Sequence, residues 1–92
     1  MLTVQYTSKM KRDYKRMERR GEKMEKLDAM LSMLAEGNPV PAKYNDHELS
    51  GKYAGCRECH IEPDWLLLYQ VFEDKLILSC TATGTHDDLF KE

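Results

Sequence analysis

Two amphipathic helical patterns, separated by Gly21, most constrain what this chain can fold into. The first begins at a predicted N-cap, Ser8, and runs to about Arg20. Its apolar residues recur three or four positions apart and are Met10, Tyr14 and Met17. The second ends at Gly37, a residue suited to a left-handed C-cap. Its apolar residues are Met24, Leu27, Met30, Leu31 and Leu34. Two such helices form a hairpin whose apolar stripes need a sheet to pack on.

Extended patterns lie on both sides of this hairpin. Residues 2–6 alternate apolar and polar side chains, which predicts a short strand, and residues 39–53 read as a loop that contains His47. Three further strands are predicted, at 56–62, 65–72 and 75–83. The order β-α-α-β-β-β predicts an α+β fold in one domain of residues 1–92. We expect two layers, with an N-terminal strand and a helical hairpin packed on a mainly antiparallel four-stranded sheet.

Charge is distributed unevenly along the chain. The formal net charge is −2, yet residues 1–28 hold nine of the fourteen Lys and Arg residues and only five of the sixteen Asp and Glu residues. A basic first helix can meet a polyanion, although a solvated charged face gives the same pattern. The longest apolar run, residues 65–69, is too short to span a bilayer, and no signal peptide precedes the helices. We therefore expect a soluble, cytoplasmic protein without a membrane partner.

The stretch CRECH at residues 56–60 matches the spacing that attaches haem in c-type cytochromes. On a strand, however, Cys56 and Cys59 point to opposite faces, so the two thiols cannot reach one porphyrin. Zinc bound by the cysteines and a histidine is an alternative, but only one pair of closely spaced ligands exists. Cys59 and Cys80 are better explained as small core residues with reduced thiols. We expect no cofactor and no metal.

A second constellation combines imidazoles, a carboxylate and aromatic rings in the C-terminal half. The histidines of the chain are His47, His60 and His86. Asp64 follows the turn after His60, Trp65 opens the next strand, and Phe90 comes near the end. Because imidazole titrates near neutral pH, the grouping favours acid–base chemistry on a substrate whose rings can stack.

Three segments around these residues carry a family resemblance: YNDHELSG at 44–51, HIEPDWLLLY at 60–69, and TGTH at 83–86 followed by Leu89-Phe90. The chain resembles the YafQ-type branch of the RelE/ParE toxin superfamily over nearly its whole length. The resemblance implies a RelE-like fold and a bacterial type II toxin that enters the ribosomal A site and cleaves mRNA. The family's functional set falls on His47, His60, Asp64, Trp65, His86 and Phe90.

The implied chemistry needs no metal, because the RNA 2′-OH can attack the adjacent phosphate when a base removes its proton and an acid protonates the leaving 5′-oxygen. We expect His86 to be the acid. The candidates for the base are His47, His60 and Asp64. Negative charge on the phosphoryl oxygens needs a cation, for which Arg57, Lys52 or a protonated histidine are candidates.

Binding residues complete this expectation. Trp65 and Phe90 would stack on bases, with a core position at the start of a strand as the alternative for Trp65. Lys9, Arg12 and Arg16 of the first helix would meet ribosomal RNA phosphates. The expected partners are the ribosome, mRNA and a cognate antitoxin, whose flexible acidic segment would wrap the toxin and cover the same cations.

Two other function classes stay open. A ParE-like toxin would keep this fold, lack nuclease activity and act by binding another protein. The three histidines with Asp64 argue against it, because a pure binder does not need that constellation. A small zinc-binding or redox module built on the cysteines is the second alternative.

Overall fold

The computed structural model describes residues 1–91, which form five strands and three α-helices. In chain order the elements are β1 Thr3–Tyr6, α1 Ser8–Arg19, α2 Met24–Ala35, β2 His47–Glu48, β3 Arg57–Glu62, β4 Trp65–Phe72, β5 Ile77–Gly84 and α3 His86–Phe90. Short 3₁₀ turns occur at Ala42–Tyr44, Gly51–Tyr53 and Glu73–Lys75. Among the described residues, the helices are too short and too polar to cross a membrane.

The strands form one mixed sheet in the order β1-β5-β4-β3-β2. Only β1 pairs in parallel, with β5, and the other neighbours are antiparallel. The predicted two-layer α+β fold is confirmed, but within residues 1–91 the sheet has five strands rather than four. The extra strand, His47–Glu48, lies in the segment predicted as a loop. It was not predicted, because two residues are too few to produce a recognisable alternation.

Two predicted element ends differ from the structure. The N-cap of α1 is Thr7, whose Oγ1 accepts a hydrogen bond of 3.0 Å from Met10 N, and Ser8 is the first helical residue. Strand β5 begins at Ile77 instead of residue 75, because Glu73–Lys75 forms a 3₁₀ turn and Leu76 adopts a left-handed conformation at φ 55°. Thr and Ser are both good N-caps, and the residues around 75 do not differ clearly in strand pattern. The sequence therefore could not locate either element end to the exact residue.

The sheet buries side chains on both of its faces. The first cluster lies under the helical hairpin and contains Met10, Met17, Leu27, Met30, Leu31, Leu34, Cys59, Leu67, Tyr69, Leu78 and Cys80. The second lies under α3 and the 51–53 turn and contains Tyr53, Cys56, Leu66, Leu68, Ala82 and Leu89. Cys56 and Cys59 therefore face opposite sides, as predicted. Burial raises the pKa of Cys59 and of Cys80 to about 12, which keeps both thiols protonated.

A buried carboxylate joins α1 to the sheet. Asp13 is only 2% exposed. It receives Lys9 Nζ at 2.8 Å and Arg16 Nη2 at 3.2 Å, and its Oδ2 also accepts the backbone N–H of Thr83 at 3.2 Å. These three donors compensate for the removal of the carboxylate from water.

We predict that Asp13→Ala lowers the free energy of unfolding by about 2–3 kcal/mol, because it leaves the Thr83 N–H and two cations without their acceptor. Urea unfolding followed by circular dichroism measures the change. Glu18→Ala, which removes an exposed acid from the same helix, serves as the control and should change stability by less than about 0.5 kcal/mol. Equal effects of the two variants would contradict a role for Asp13 in joining helix and sheet.

Candidate active site

Three histidines meet on the face of the sheet opposite the helical hairpin. Strand β2 carries His47, β3 carries His60, and α3 starts at His86. His47 pairs with Glu58, two residues before His60, so these side chains share a face. The ring centroids of His47 and His60 lie 6.3 Å apart, and those of His60 and His86 lie 5.6 Å apart. The imidazoles thus form a row with His60 in the middle.

Glu58 lies beneath this row. It is 5% exposed, and its Oε1 lies 2.7 Å from His60 Nε2 and 3.8 Å from His47 Nε2. Sequence reasoning assigned Glu58 no role, although the strand alternation places it on the same face as His60. A carboxylate two positions from a histidine on a strand is the signal that could have identified it.

Asp64 fixes the position of His86. Its Oδ1 accepts the backbone N–H of His86 at 2.8 Å and lies 2.5 Å from His86 Nδ1. These contacts, with the backbone hydrogen bond as the largest cause, hold the pKa of Asp64 below its usual value. An ionised carboxylate can only accept a hydrogen bond, so Nδ1–H donates to Asp64, which leaves His86 Nε2 to face a substrate. About half of the His86 side chain is exposed.

The ring orientation of His47 is also set by a backbone group. His47 Nδ1 lies 2.7 Å from the carbonyl oxygen of Asn45. Because a carbonyl oxygen only accepts, Nδ1 carries the proton, and Nε2 is the nitrogen that faces the cluster. Asn45 itself adopts a left-handed conformation at φ 48°, a backbone state that Asn tolerates better than most residues.

Phe90 borders the row, and Lys52 lies next to the tyrosine that Phe90 contacts. The Phe90 ring lies 6.5 Å from the His86 ring and packs edge-on against Tyr53 at 5.5 Å between centroids. Phe90 remains 39% exposed. Lys52 Nζ lies 5.3 Å from the centre of the Tyr53 ring. The exposed Phe90 ring therefore lies beside His86, and the Lys52 ammonium group lies beside the Tyr53 ring that Phe90 contacts.

Trp65 is not available for base stacking. The side chain is 2% exposed and belongs to the core cluster under the helices. Its Nε1–H donates to Thr83 Oγ1 at 2.9 Å, and that hydroxyl donates to the carbonyl of Leu66 at 2.7 Å. The expectation that Trp65 contacts RNA is corrected, because the first residue of β4 points to the helix-covered face. The alternative given above, a core residue at the start of a strand, is the one observed.

Arg57 also lies away from the histidines. It pairs across the sheet with Tyr69, on the face opposite His60, and its Nε and Nη2 each lie 2.6 Å from Asp46 Oδ1. The hydrogen bond to Asp46 is the main reason that the pKa of Arg57 is raised. Tyr69 donates its hydroxyl to the same carboxylate. Arg57 thus anchors the residue that precedes His47, and it is not placed to contact a phosphate bound at the row.

The three cations predicted to meet ribosomal RNA have different surroundings. Lys9 and Arg16 both contact Asp13, and Arg16 also lies 3.3 Å from the carbonyl oxygen of Thr83. Arg12 is exposed and has no ion-pair partner among residues 1–91. Of the three, Arg12 is therefore the one whose charge is entirely available to a polyanion.

Within residues 1–91, one side-chain cluster could hold a metal ion. Ligand atoms of Glu58, His60 and His86 lie within 4.8 Å of one another. Imidazole and carboxylate donors suit divalent transition metals. The zinc module considered above would instead need the cysteines together. In the described part of the chain, however, all three are free, and the sheet separates Cys56 from the other two.

Comparisons with known proteins identify the family of this chain. The family model described as bacterial toxin of type II toxin-antitoxin system, YafQ, matches residues 2–91. The mRNA interferase toxin YafQ of Escherichia coli strain K12 is 40% identical over 88 residues, which are 95% of this chain and 94% of the relative. A chain of the crystal structure of the E. coli DinJ-YafQ complex superimposes with a TM-score of 0.87 at 36% identity, covering 98% of this chain and 99% of that chain. A metal-bound toxin from Helicobacter pylori gives a TM-score of 0.91 at 36% identity, covering 98% and 100%.

We predict that Trp65→Phe lowers the free energy of unfolding by about 1–3 kcal/mol, because it removes buried volume and the donor to Thr83. RNA cleavage per folded molecule should be unchanged. Urea unfolding measures the first effect, and initial rates well below the melting temperature measure the second. A loss of activity without a loss of stability would restore Trp65 as an RNA contact.

Proposed function

The chain belongs to the YafQ family of bacterial type II toxins and is an mRNA interferase, and we propose that it cleaves mRNA in the ribosomal A site by metal-independent acid–base catalysis. The observation that carries this proposal is the row of His47, His60 and His86. Two of these imidazoles are hydrogen-bonded to carboxylates, His60 to Glu58 and His86 to Asp64. Such a row can exchange protons on both sides of one phosphodiester.

His86 is the general acid in this proposal. Asp64 accepts from Nδ1 and stabilises the protonated ring, so Nε2–H is presented to the leaving 5′-oxygen. Asp64 is thereby committed to orienting His86. This commitment removes Asp64 from the three candidates for the general base and leaves His47 and His60.

His47 is the better base of these two, because it lies at the opposite end of the row from His86. A base and an acid that act on one phosphate must reach the 2′-oxygen and the 5′-oxygen from different sides. In its neutral form His47 offers the lone pair of Nε2, since its Nδ1–H donates to the carbonyl oxygen of Asn45. A 2′-OH that approaches this nitrogen can lose its proton as it attacks phosphorus.

His60 lies between acid and base, over the buried Glu58. With its Nε2 hydrogen-bonded to that carboxylate, a protonated His60 ring can face the non-bridging oxygens of the phosphate. Their charge grows in the transition state, so a fixed cation there lowers the barrier more than it strengthens ground-state binding. Lys52, beside Tyr53, is the second cation in reach of a bound nucleotide.

Substrate placement uses the border of the site and helix α1. Phe90, partly exposed next to His86, can stack on a base of the codon, which is worth about 1–3 kcal/mol per stacked base. Arg12, together with the exposed parts of the Lys9 and Arg16 side chains, would contact ribosomal RNA phosphates. That contribution should fall with increasing salt.

A cognate antitoxin is the expected protein partner. The E. coli relative was solved as a DinJ-YafQ complex. For this chain we propose that a flexible, acidic antitoxin segment covers the cations of α1. Such a segment competes with ribosomal RNA for the same charges and so inhibits without blocking the histidines directly.

We predict that His86→Ala reduces the rate of mRNA cleavage on translating ribosomes by about 10²–10⁴-fold, the contribution expected of one acid–base group. The toxin is treated with EDTA and returned to buffer that contains only the magnesium the ribosome needs, and mRNA ends are mapped. Asp87→Asn, an exposed neighbour on the same helix, is the matched control and should cut like wild type.

The outcomes of this experiment separate the function classes. Cuts by wild type and the control that are lost in His86→Ala support the proposal. If EDTA treatment abolishes wild-type cleavage and added metal restores it, the metal-independent mechanism is wrong. If no folded form cleaves mRNA, the chain is better explained as a ParE-like toxin that binds a protein target.

A modified substrate tests which histidine is the acid. An mRNA with sulfur in place of the bridging 5′-oxygen at the scissile position has a leaving group that needs no protonation. We predict that this substrate restores cleavage by His86→Ala to within about tenfold of wild type, while His47→Ala stays impaired by about 10²-fold or more, as expected for a lost base. Rescue of His47→Ala and not of His86→Ala would reverse the two roles.

A further inference from the structure

The catalytic helix α3 is tied to α1 by an arginine clamp. Arg20, the C-cap of α1, donates from Nη1 to Asp88 Oδ2 at 2.6 Å and from Nη2 to Asp88 Oδ1 at 2.9 Å. Asp88 is mostly shielded, with 15% of its side chain exposed. Two parallel N–H···O bonds fix both the distance and the orientation of the carboxylate, which a single bond to lysine would not do.

Asp88 in turn holds the first turn of α3. Its Oδ2 accepts the backbone N–H of Thr85 at 2.9 Å, and its own N–H donates to Thr85 Oγ1 at 3.1 Å. This capping box extends from Thr85 to Asp88 and therefore contains His86, the first helical residue. Space behind the box is tight, since a Cβ added at Gly84 would lie 2.8 Å from Asp88 Cβ.

Helix α3 needs such support, because it has only five residues. An isolated helix of this length is not stable in water. Within α3, Leu89 alone is buried in the core, while His86 and Phe90 are exposed on the side of the site. Apart from Leu89, α3 is held by the edge contact of Phe90 with Tyr53 and by the exposed Asp64 at His86. Without the clamp, these few contacts would permit a tilt that moves the His86 ring relative to His60.

We propose that Arg20 is a positioning residue for catalysis, which acts through Asp88 to hold α3 so that His86 meets the phosphate. The proposal rests on the proposed role of His86. It assigns to Arg20 a function different from that of a ribosomal RNA contact, which the charge of α1 alone would suggest. Hydrogen bonding to Arg20 is also the largest cause of the lowered pKa of Asp88, so the carboxylate stays ionised for the clamp throughout the physiological range.

The test compares four single variants, Arg20→Met, Arg20→Lys, Asp88→Asn and Arg19→Met, with the double variant Arg20→Met, Asp88→Asn. Arg19→Met removes the same charge from the adjacent, exposed position of α1. Single-turnover cleavage is measured at saturating programmed ribosomes, so that weakened binding does not affect the rate. The His86 imidazole is followed separately by ¹⁵N-resolved NMR on the free toxin.

We expect Arg20→Met and Asp88→Asn each to lower the saturated cleavage rate by about tenfold or more, since small misplacements of a catalytic group are costly. The double variant should be no slower than either single variant, because both remove the same clamp. Arg19→Met should retain the saturated rate. In the NMR spectra, Arg20→Met should broaden or shift the His86 Nδ1–H signal, and Arg19→Met should leave it in place.

Several results would overturn the clamp. These are multiplicative losses in the double variant, a loss in Arg20→Met that vanishes at saturating ribosomes, or an unchanged His86 signal. Arg20→Lys, which keeps the charge but cannot form both bonds, should stay impaired. Because the NMR measurement needs no RNA, it reports on the clamp even if the wild type fails to cleave mRNA. Failure of the proposed function is therefore distinguishable from failure of this inference.

Discussion

Burial of strand β4 on both faces is the constraint on which the rest of the structure depends. Its residues alternate between the core under the helical hairpin, with Leu67 and Tyr69, and the core on the opposite face, with Leu66 and Leu68. Helices on one face alone would leave the second apolar face in water, at a cost of about 25 cal/mol for each Å². Helix α3 and the 51–53 turn cover that face. The cover is what carries His86 and Phe90 over the end of β3, so the site is a by-product of closing the second core.

Carboxylates with little exposure connect the segments that carry the site. Asp13 joins α1 to β5, Asp46 holds the start of β2 through Arg57, and Asp88 holds α3 through Arg20. In each case a directional, charge-assisted bond adds to the contact between two segments. Apolar packing alone is non-directional. It would fix how closely these segments lie on the sheet better than how each segment is rotated about its own axis. The histidines need their rotation fixed, because proton transfer requires aligned nitrogen and oxygen atoms.

The fold could largely be predicted from the sequence, because periodicity reports burial directly. Strand alternation also placed Cys56 and Cys59 on opposite faces, and so disfavoured haem and zinc. The burial of Trp65 could not be decided from the sequence, since residues 65–69 are all apolar and carry no polar alternation that would distinguish the two faces. The partners of Arg16 and Arg57 were equally hidden. Arg16 pairs with Asp13 and Arg57 with Asp46, both within the same chain. Counting charges in a sequence cannot distinguish an arginine that is paired internally from one that is free to bind phosphate.

Because these arginines pair with acids of the same chain, few cations are left for the proposed reaction. Arg57 is turned to the other face, and Arg16 and Arg20 bind acids of the chain itself. Among the described residues, Lys52 and protonated histidines are then the cations left for the proposed reaction. The histidines at the ends of the row are also about half exposed, so water screens their charges. A site with few cations and much water stabilises a phosphorane poorly by itself. In the proposed A-site cleavage, enclosure by the ribosome would orient the mRNA and exclude water, which is a physical reason for cleavage at that site.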